Sequence, residues 1–187
     1  FDIFNDSYGV EKNNISKEYI ESYEKLNPSN RDNIIGIQSQ IWSETIRNED
    51  ILDYMFMPNI IVFSQKAWSQ DPEWMKISDK TKRENTLDYE WNKFTNTIGQ
   101  RVLPIIDNIY GGLSYDLPKP GGIIKNDSLY ANSVFPGLNI KYTLDGSLPD
   151  IESMNYNNPV KLNQDDIVNL RLFDNKGRGG YPIQVDK

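Results

Sequence analysis

Apolar positions recur along this chain with two different periods. Phe1 to Phe4 predicts a short buried strand. Ser16 is placed to cap a helix through Leu26. Ile15 before the cap and Ile20 inside it make a hydrophobic staple, and Tyr19 and Tyr23 extend the same face. Ile34, Ile35, Ile37 and Ile41 form a β-branched run, bounded by Asn33 and ending at Trp42, which predicts a buried strand. Asn48 caps a second helix whose first turn holds Glu49 and Asp50, where carboxylates suit the positive end of the helix dipole. Pro58 stops that helix and opens another, Asn59 to Trp68. The polar stretch 69–86, with Trp74 in it, predicts a surface loop. Leu87, Trp91, Phe94, Ile98, Val102, Ile105 and Ile109 then follow at steps of three or four. This predicts a long amphipathic helix, bent where Gly99 and Pro104 fall. The spacing assigns Trp91 and Phe94 to core packing rather than, with Tyr89, to a binding stripe.

Beyond residue 120 the period becomes two. Ile140, Tyr142 and Leu144 alternate into an Asp145-Gly146 turn, and Val168, Leu170 and Leu172 alternate into a turn over Asp174 to Gly177. Short strands between turns predict a small immunoglobulin-like β-sandwich. It is small for an independent core and is expected to lean on the part before it. The Gly/Pro-rich stretch between Gly111 and Gly122 marks the boundary. The expected fold is thus α/β plus all-β. Residues 1–110 are the C-terminal portion of a (β/α)8 TIM barrel, 111–120 a linker, and 121–187 the sandwich. Residues 1–68 supply two strand–helix units where a barrel needs eight. With Phe1 rather than Met at the start, the chain reads as a piece of a longer protein or a processed product.

Composition narrows the chemistry. With no His and no Cys, the chain holds no Ser–His pair, histidine base, disulfide or zinc-thiolate site. Catalysis within it would fall to carboxylates, tyrosines, lysines or backbone groups. A net charge of −7, with most of the excess acid before residue 111, argues against a nucleic-acid surface. No apolar run approaches a membrane span, and no signal peptide opens the chain. Neither a metal nor a cofactor is expected. Asp145, Asp150 and Glu152 do not follow a Ca²⁺-loop spacing, and Asp165-Asp166 reads as a turn. Sequons at Asn5, Asn14 and Asn126 are what an Asn-rich chain produces freely.

The segment Gly36-Ile37-Gln38-Ser39-Gln40-Ile41-Trp42-Ser43-Glu44 stands out. Two residues apart at a strand end, Trp42 and Glu44 point the same way, and in a barrel that end faces the active site. An aromatic plate covers the C–H face of a pyranose while a carboxylate accepts from its hydroxyls. The same spacing equally suits Trp42 in a core and Glu44 as a solvated cap.

Residues 36–68 resemble the last strand and helix of family 20 glycoside hydrolases, the β-N-acetylhexosaminidases and chitobiases. Trp42-Ser43-Glu44, Tyr54-Met55, Pro58 and Trp68 carry the likeness. Pro120-Gly121, Ala131-Asn132, Pro136-Gly137-Leu138, Ile140 to Thr143, Asp145-Gly146-Ser147, Tyr156, Pro159-Val160, Arg171 and Gly177-Arg178 resemble the C-terminal domain of chitobiase-type enzymes. The resemblance implies release of terminal N-acetylhexosamine from chito-oligosaccharides or glycans. The mechanism is retaining and substrate-assisted, with the substrate's acetamido oxygen as nucleophile. The family's catalytic Asp–Glu pair lies on an earlier strand, and nothing in this chain matches it. The resemblance therefore implies no catalytic residue here, but three sugar-binding ones: Trp42, Glu44 and Asp2, the last at the end of the family's Tyr-x-Asp. Read without the family, Asp2 is a strand-end residue. The implied partners are an N-acetylhexosamine-containing oligosaccharide and the missing N-terminal part of the same protein. The implied setting is secreted, periplasmic or lysosomal. The chain departs from the family at Pro58-Asn59 and Ser64-Gln65-Lys66, where Pro-Arg and Ala-Glu-Arg are usual. Both members of an ion pair are thus replaced together, which leaves neither charge unpaired. The alternatives are a non-catalytic sandwich that binds carbohydrate or only braces the barrel, and an unrelated adhesion protein with an immunoglobulin-like tail.

Overall fold

The computed structural model describes residues 27–186, which divide into two units between Gln38 and Ser39. The expected strand at 1–4, the helix 16–26 and Asp2 lie outside the described residues. In the first unit a 3-10 helix spans Pro28–Asn33, and residues 34–38 follow without regular structure.

The second unit begins without regular structure. Residues 39–43 pair with no strand, and Ser43 to Ile46 close a turn through Ile46 N–H to Ser43 O, 3.1 Å. The buried strand expected over 34–42 is therefore not formed. A strand must pair its backbone groups, and both described sheets are built from residues 121–185 alone. The next expectations hold. Helix α1, Glu49–Phe56, is capped by the Asn48 side chain, which accepts from Ile51 N–H at 2.9 Å. Helix α2 runs Asn59–Trp68 directly after Pro58. Neither contains a buried residue, although Met57 and Ile61 pack against the core described below.

The surface loop expected over 69–86 is corrected in two ways. Trp74, in a 3-10 turn Glu73–Lys76, is only 6% exposed. Helix α3 already starts at Lys80 and runs to Thr97, because Asp79 caps it by accepting from Lys82 N–H at 2.7 Å. Its first turns are polar on every side, so a search for apolar periodicity starts it late.

The long amphipathic stretch is helical, with a π turn at Ile98–Val102 before a last short turn, α4, Leu103–Ile106. Pro104 has no N–H to give, and Leu103 N–H reaches back five residues to Ile98 O. That step inserts one residue and advances the inner face. Ile98, Leu103 and Ile106 are buried, while Ile105 and Ile109, expected inside, are exposed. Trp91 is exposed too, against expectation, because α3 turns Phe94 and Thr95 inward instead. A Cβ at Gly99 would overlap the carbonyl oxygen of Pro136, so the helix can meet the 133–138 loop only through a glycine there.

Ile98, Leu103 and Ile106 form one cluster with Tyr115, Leu117 and Phe135. Gly111 and Gly112, at φ 89° and 99°, reverse the chain, and residues 113–117 pack back onto the helix. A second cluster lies between two antiparallel sheets. One is three-stranded: β1 Gly121–Lys125, β2 Ser128–Asn132 and β5 Val160–Lys161, in the order β1-β2-β5. The other contains β3 Asn139–Thr143, β4 Met154–Asn155, β6 Val168–Phe173 and β7 Ile183–Val185, in the order β4-β3-β6-β7. Ile140 sits opposite Leu172 and Tyr142 opposite Leu170. Leu129, Tyr142, Leu162, Val168, Leu170 and Val185 fill the space between the sheets. The fold is thus mixed helix and sheet, with two antiparallel sheets. No helix among the described residues is long and apolar enough to cross a membrane.

Candidate functional site

Trp42 sits in the irregular segment before the 43–46 turn and is 72% exposed. Glu44 is the second residue of that turn and is also exposed. Of the two readings left open by spacing, burial of Trp42 in a core is excluded in this unit. The strand geometry that would aim both side chains one way is absent as well, since a turn intervenes. Asp2, the third expected site residue, lies outside the described residues.

The turn leans on α1, where the Thr45 hydroxyl lies 3.9 Å from the Met55 sulfur. Beside Met55, the Tyr54 hydroxyl donates to Asp116 Oδ1 at 2.7 Å. That bond, with burial and the carboxylate's charge, raises the Tyr54 pKa above its ordinary value. Asp116 also donates its backbone N–H to Met57 O at 3.1 Å.

A further polar cluster sits where the helical segment meets the sheets. Asp107 and Asp174 are buried, and Arg178 lies between them. It donates Nη2 to Asp107 Oδ1 at 2.6 Å, Nε to Asp174 Oδ2, and Nη1 to Leu113 O at 2.9 Å. Its guanidinium lies 4.6 Å from the centre of the Tyr115 ring. Burial works against the Arg178 charge, but the Asp174 bond and the nearby carboxylates outweigh it, so its pKa stands above the ordinary value. Burial first, then the charges of Asp107 and Asp174, raise the Tyr115 pKa. Both carboxylates bond to the one guanidinium, which joins the helical segment to the sheets, so the cluster is a brace. Sequence reading singles out Gly177-Arg178 but not Asp107 or Tyr115, and it misses the Tyr54–Asp116 pair. Partners 62 and 71 residues apart leave no local pattern.

A shallow cleft of about 420 Å³ runs along the start of α3, lined by Asp79, Thr81, Lys82, Asn85, Thr86 and Tyr89. It touches neither Trp42 nor Glu44.

Comparison with known proteins adds what the geometry alone does not. Residues 4–71 match the sequence model of the Glycosyl hydrolase family 20 catalytic domain, and residues 103–180 that of the Chitobiase/beta-hexosaminidase C-terminal domain. The chain is 32% identical over 120 residues to an N,N'-diacetylchitobiase of Vibrio harveyi, covering 59% of this chain and 13% of that protein. It is 28% identical over 168 residues to a Beta-hexosaminidase of Vibrio vulnificus, covering 81% of this chain and 19% of that protein. The chain therefore spans less than a fifth of the length of these relatives. The two matched stretches follow one another in the chain, and the first contains both Trp42 and Glu44. Two successive stretches of the chain are thus similar to the catalytic domain of glycosyl hydrolase family 20 and to the C-terminal domain of chitobiases and β-hexosaminidases.

Proposed function

We propose that the chain is the C-terminal part of a β-N-acetylhexosaminidase. The longer protein hydrolyses terminal N-acetylhexosamine from chito-oligosaccharides or glycans by the substrate-assisted retaining route. Residues 1–110 are the closing portion of a (β/α)8 barrel, 111–120 the connection and 121–187 an immunoglobulin-like sandwich. The catalytic Asp–Glu pair comes from the rest of the polypeptide, and Trp42, Glu44 and Asp2 bind the terminal sugar. The setting is secreted, periplasmic or lysosomal.

One observation carries the reading: an indole left 72% in solvent two residues from an exposed carboxylate, inside the stretch that matches the catalytic domain. Leaving an indole in water costs on the order of 2–3 kcal/mol relative to burying it. A sugar face or an adjoining wall of the barrel removes that cost.

The test is hydrolysis of 4-nitrophenyl N-acetyl-β-glucosaminide, by the full-length protein and by residues 1–187 alone. Turnover by the full-length protein and none by the isolated chain is expected. An inert full-length protein, or an active isolated chain, contradicts the proposal.

The second reading, a carbohydrate-binding sandwich, loses ground on one face. The outer side of β3 and β6 is already occupied by the 146–153 loop. Asn169 donates to Gly146 O and Ser147 O, Thr143 to Ser147 O, Arg171 to Pro149 O, and Lys141 to Ser153 O. Bracing of the helical segment, through Arg178, is the role we assign to this part.

A further inference from the structure

From the contacts around α1 we infer that Tyr54 and Asp116 are positioning residues for the sugar-binding turn: through the end of α1 they hold Trp42 and Glu44 in place. This rests on the sugar-binding reading proposed above.

The argument starts from what α1 lacks. It has no buried residue, so packing alone holds it weakly. Its C-terminal end is instead gripped twice by one residue. The Asp116 carboxylate accepts from the Tyr54 hydroxyl at 2.7 Å, and the Asp116 N–H donates to Met57 O at 3.1 Å. A phenol-to-carboxylate bond is charge-assisted and stronger than a neutral pair. Asp116 is itself a fixed post, because Tyr115 and Leu117 on either side are both buried in the helical core. Tyr115 in turn lies under the Arg178 guanidinium. On the other side, Met55 follows Tyr54 and meets the Thr45 hydroxyl, and Thr45 follows Glu44 in the turn. The path from the sheets to the turn is therefore continuous: Arg178, Tyr115, Asp116, Tyr54, Met55, Thr45. A free surface pair would contribute almost nothing. A pair that ends a rigid path fixes the helix on which the turn rests.

The experiment is steady-state kinetics of the full-length protein with 4-nitrophenyl N-acetyl-β-glucosaminide, alongside thermal unfolding. Tyr54→Phe keeps the ring and removes the donor, and Asp116→Ala removes the acceptor. Each is expected to raise KM about tenfold, the value of one charge-assisted bond, with kcat within about twofold. Asp116→Asn keeps an acceptor oxygen without the charge and is expected to fall between wild type and the alanine variant. The double variant Tyr54→Phe/Asp116→Ala is expected to be no worse than the worse single, as two halves of one bond must be. Unchanged KM in both single variants overturns the inference. So does a loss in Tyr54→Phe that falls on kcat with a lowered melting temperature, and so does an Asp116→Asn as impaired as the alanine. Trp42→Ala in the same assay separates the two ideas. If it leaves KM unchanged, the sugar-binding reading itself fails. If it raises KM while Tyr54→Phe does not, only the positioning inference fails.

Discussion

Residues 39–68 and 98–186 lie in one compact unit but are finished to different degrees. The later stretch closes on itself. Its two clusters are filled, and its buried acids Asp107 and Asp174 both bond to Arg178. The earlier stretch has the sequence of a packed region and little of the packing. Leu52, Phe56, Val62 and Trp68 are all exposed, on helices expected from the Asn48 cap and the break at Pro58. Periodicity reports which face a helix would bury, and the partner has to come from somewhere else. Under the proposal above, the earlier stretch is one wall of a larger catalytic domain, and the later stretch includes the domain that follows it.

The sharpest way to break this comparison is to truncate a side chain in each region of the 187-residue chain. Leu170→Ala, from a fully buried position, is expected to cost about 3 kcal/mol in denaturant unfolding. Trp68→Ala, from a position 89% exposed, is expected to change stability by less than about 0.5 kcal/mol. Equal costs would mean that the helices before residue 69 are as well packed as the sheets.

Next in size is the brace. Arg178→Ala leaves Asp107 and Asp174 buried without their cation and is expected to cost about 2–3 kcal/mol, reduced because Arg178 itself is a third exposed. Arg178→Lys keeps the charge but not the fork, and is expected to recover less than half of that loss. A neutral Arg178→Ala would mean that the helical segment and the sheets do not depend on the cluster.

The smallest effect is at acid pH and belongs to the finished region alone. The Ser147 hydroxyl and N–H hold the Asp145 pKa down, and the Ser153 hydroxyl, with backbone N–H groups, does the same at Asp150. A lowered folded-state pKa contributes stability above the ordinary aspartate value of about 3.9, lost as pH falls through the folded value. Stability is therefore expected to drop below about pH 4, and less steeply in Asp145→Asn/Asp150→Asn. Parallel acid profiles for the two proteins would show that these turns contribute nothing.

What could be read in advance follows the range of the forces involved. Local signals were legible: the Asn48 cap, the break at Pro58, and the alternation at 140–144 and 168–172 all lead to the observed elements. The one-residue advance after Ile98 was half legible. Gly99 and Pro104 announced a bend, but only the backbone shows that it is a π turn that swaps Ile105 for Ile106. The 34–42 strand was misread because a β-branched run states a preference for pairing, and pairing needs a neighbour. In the site, Trp42 and Glu44 were legible as residue types, while the Tyr54–Asp116 pair and the Arg178 brace join positions too far apart for any pattern to connect.

The central claim is that positions 42 and 44 bind the terminal sugar. The most direct test is kcat/KM of Trp42→Ala and Glu44→Gln in the full-length protein with 4-nitrophenyl N-acetyl-β-glucosaminide, with folding checked by thermal unfolding. Loss of a stacking ring or of a carboxylate that accepts sugar hydroxyls is worth about 2–3 kcal/mol, so each variant is expected to fall roughly 30- to 100-fold with an unchanged melting temperature. Two variants that turn over the substrate like the wild type would contradict the account.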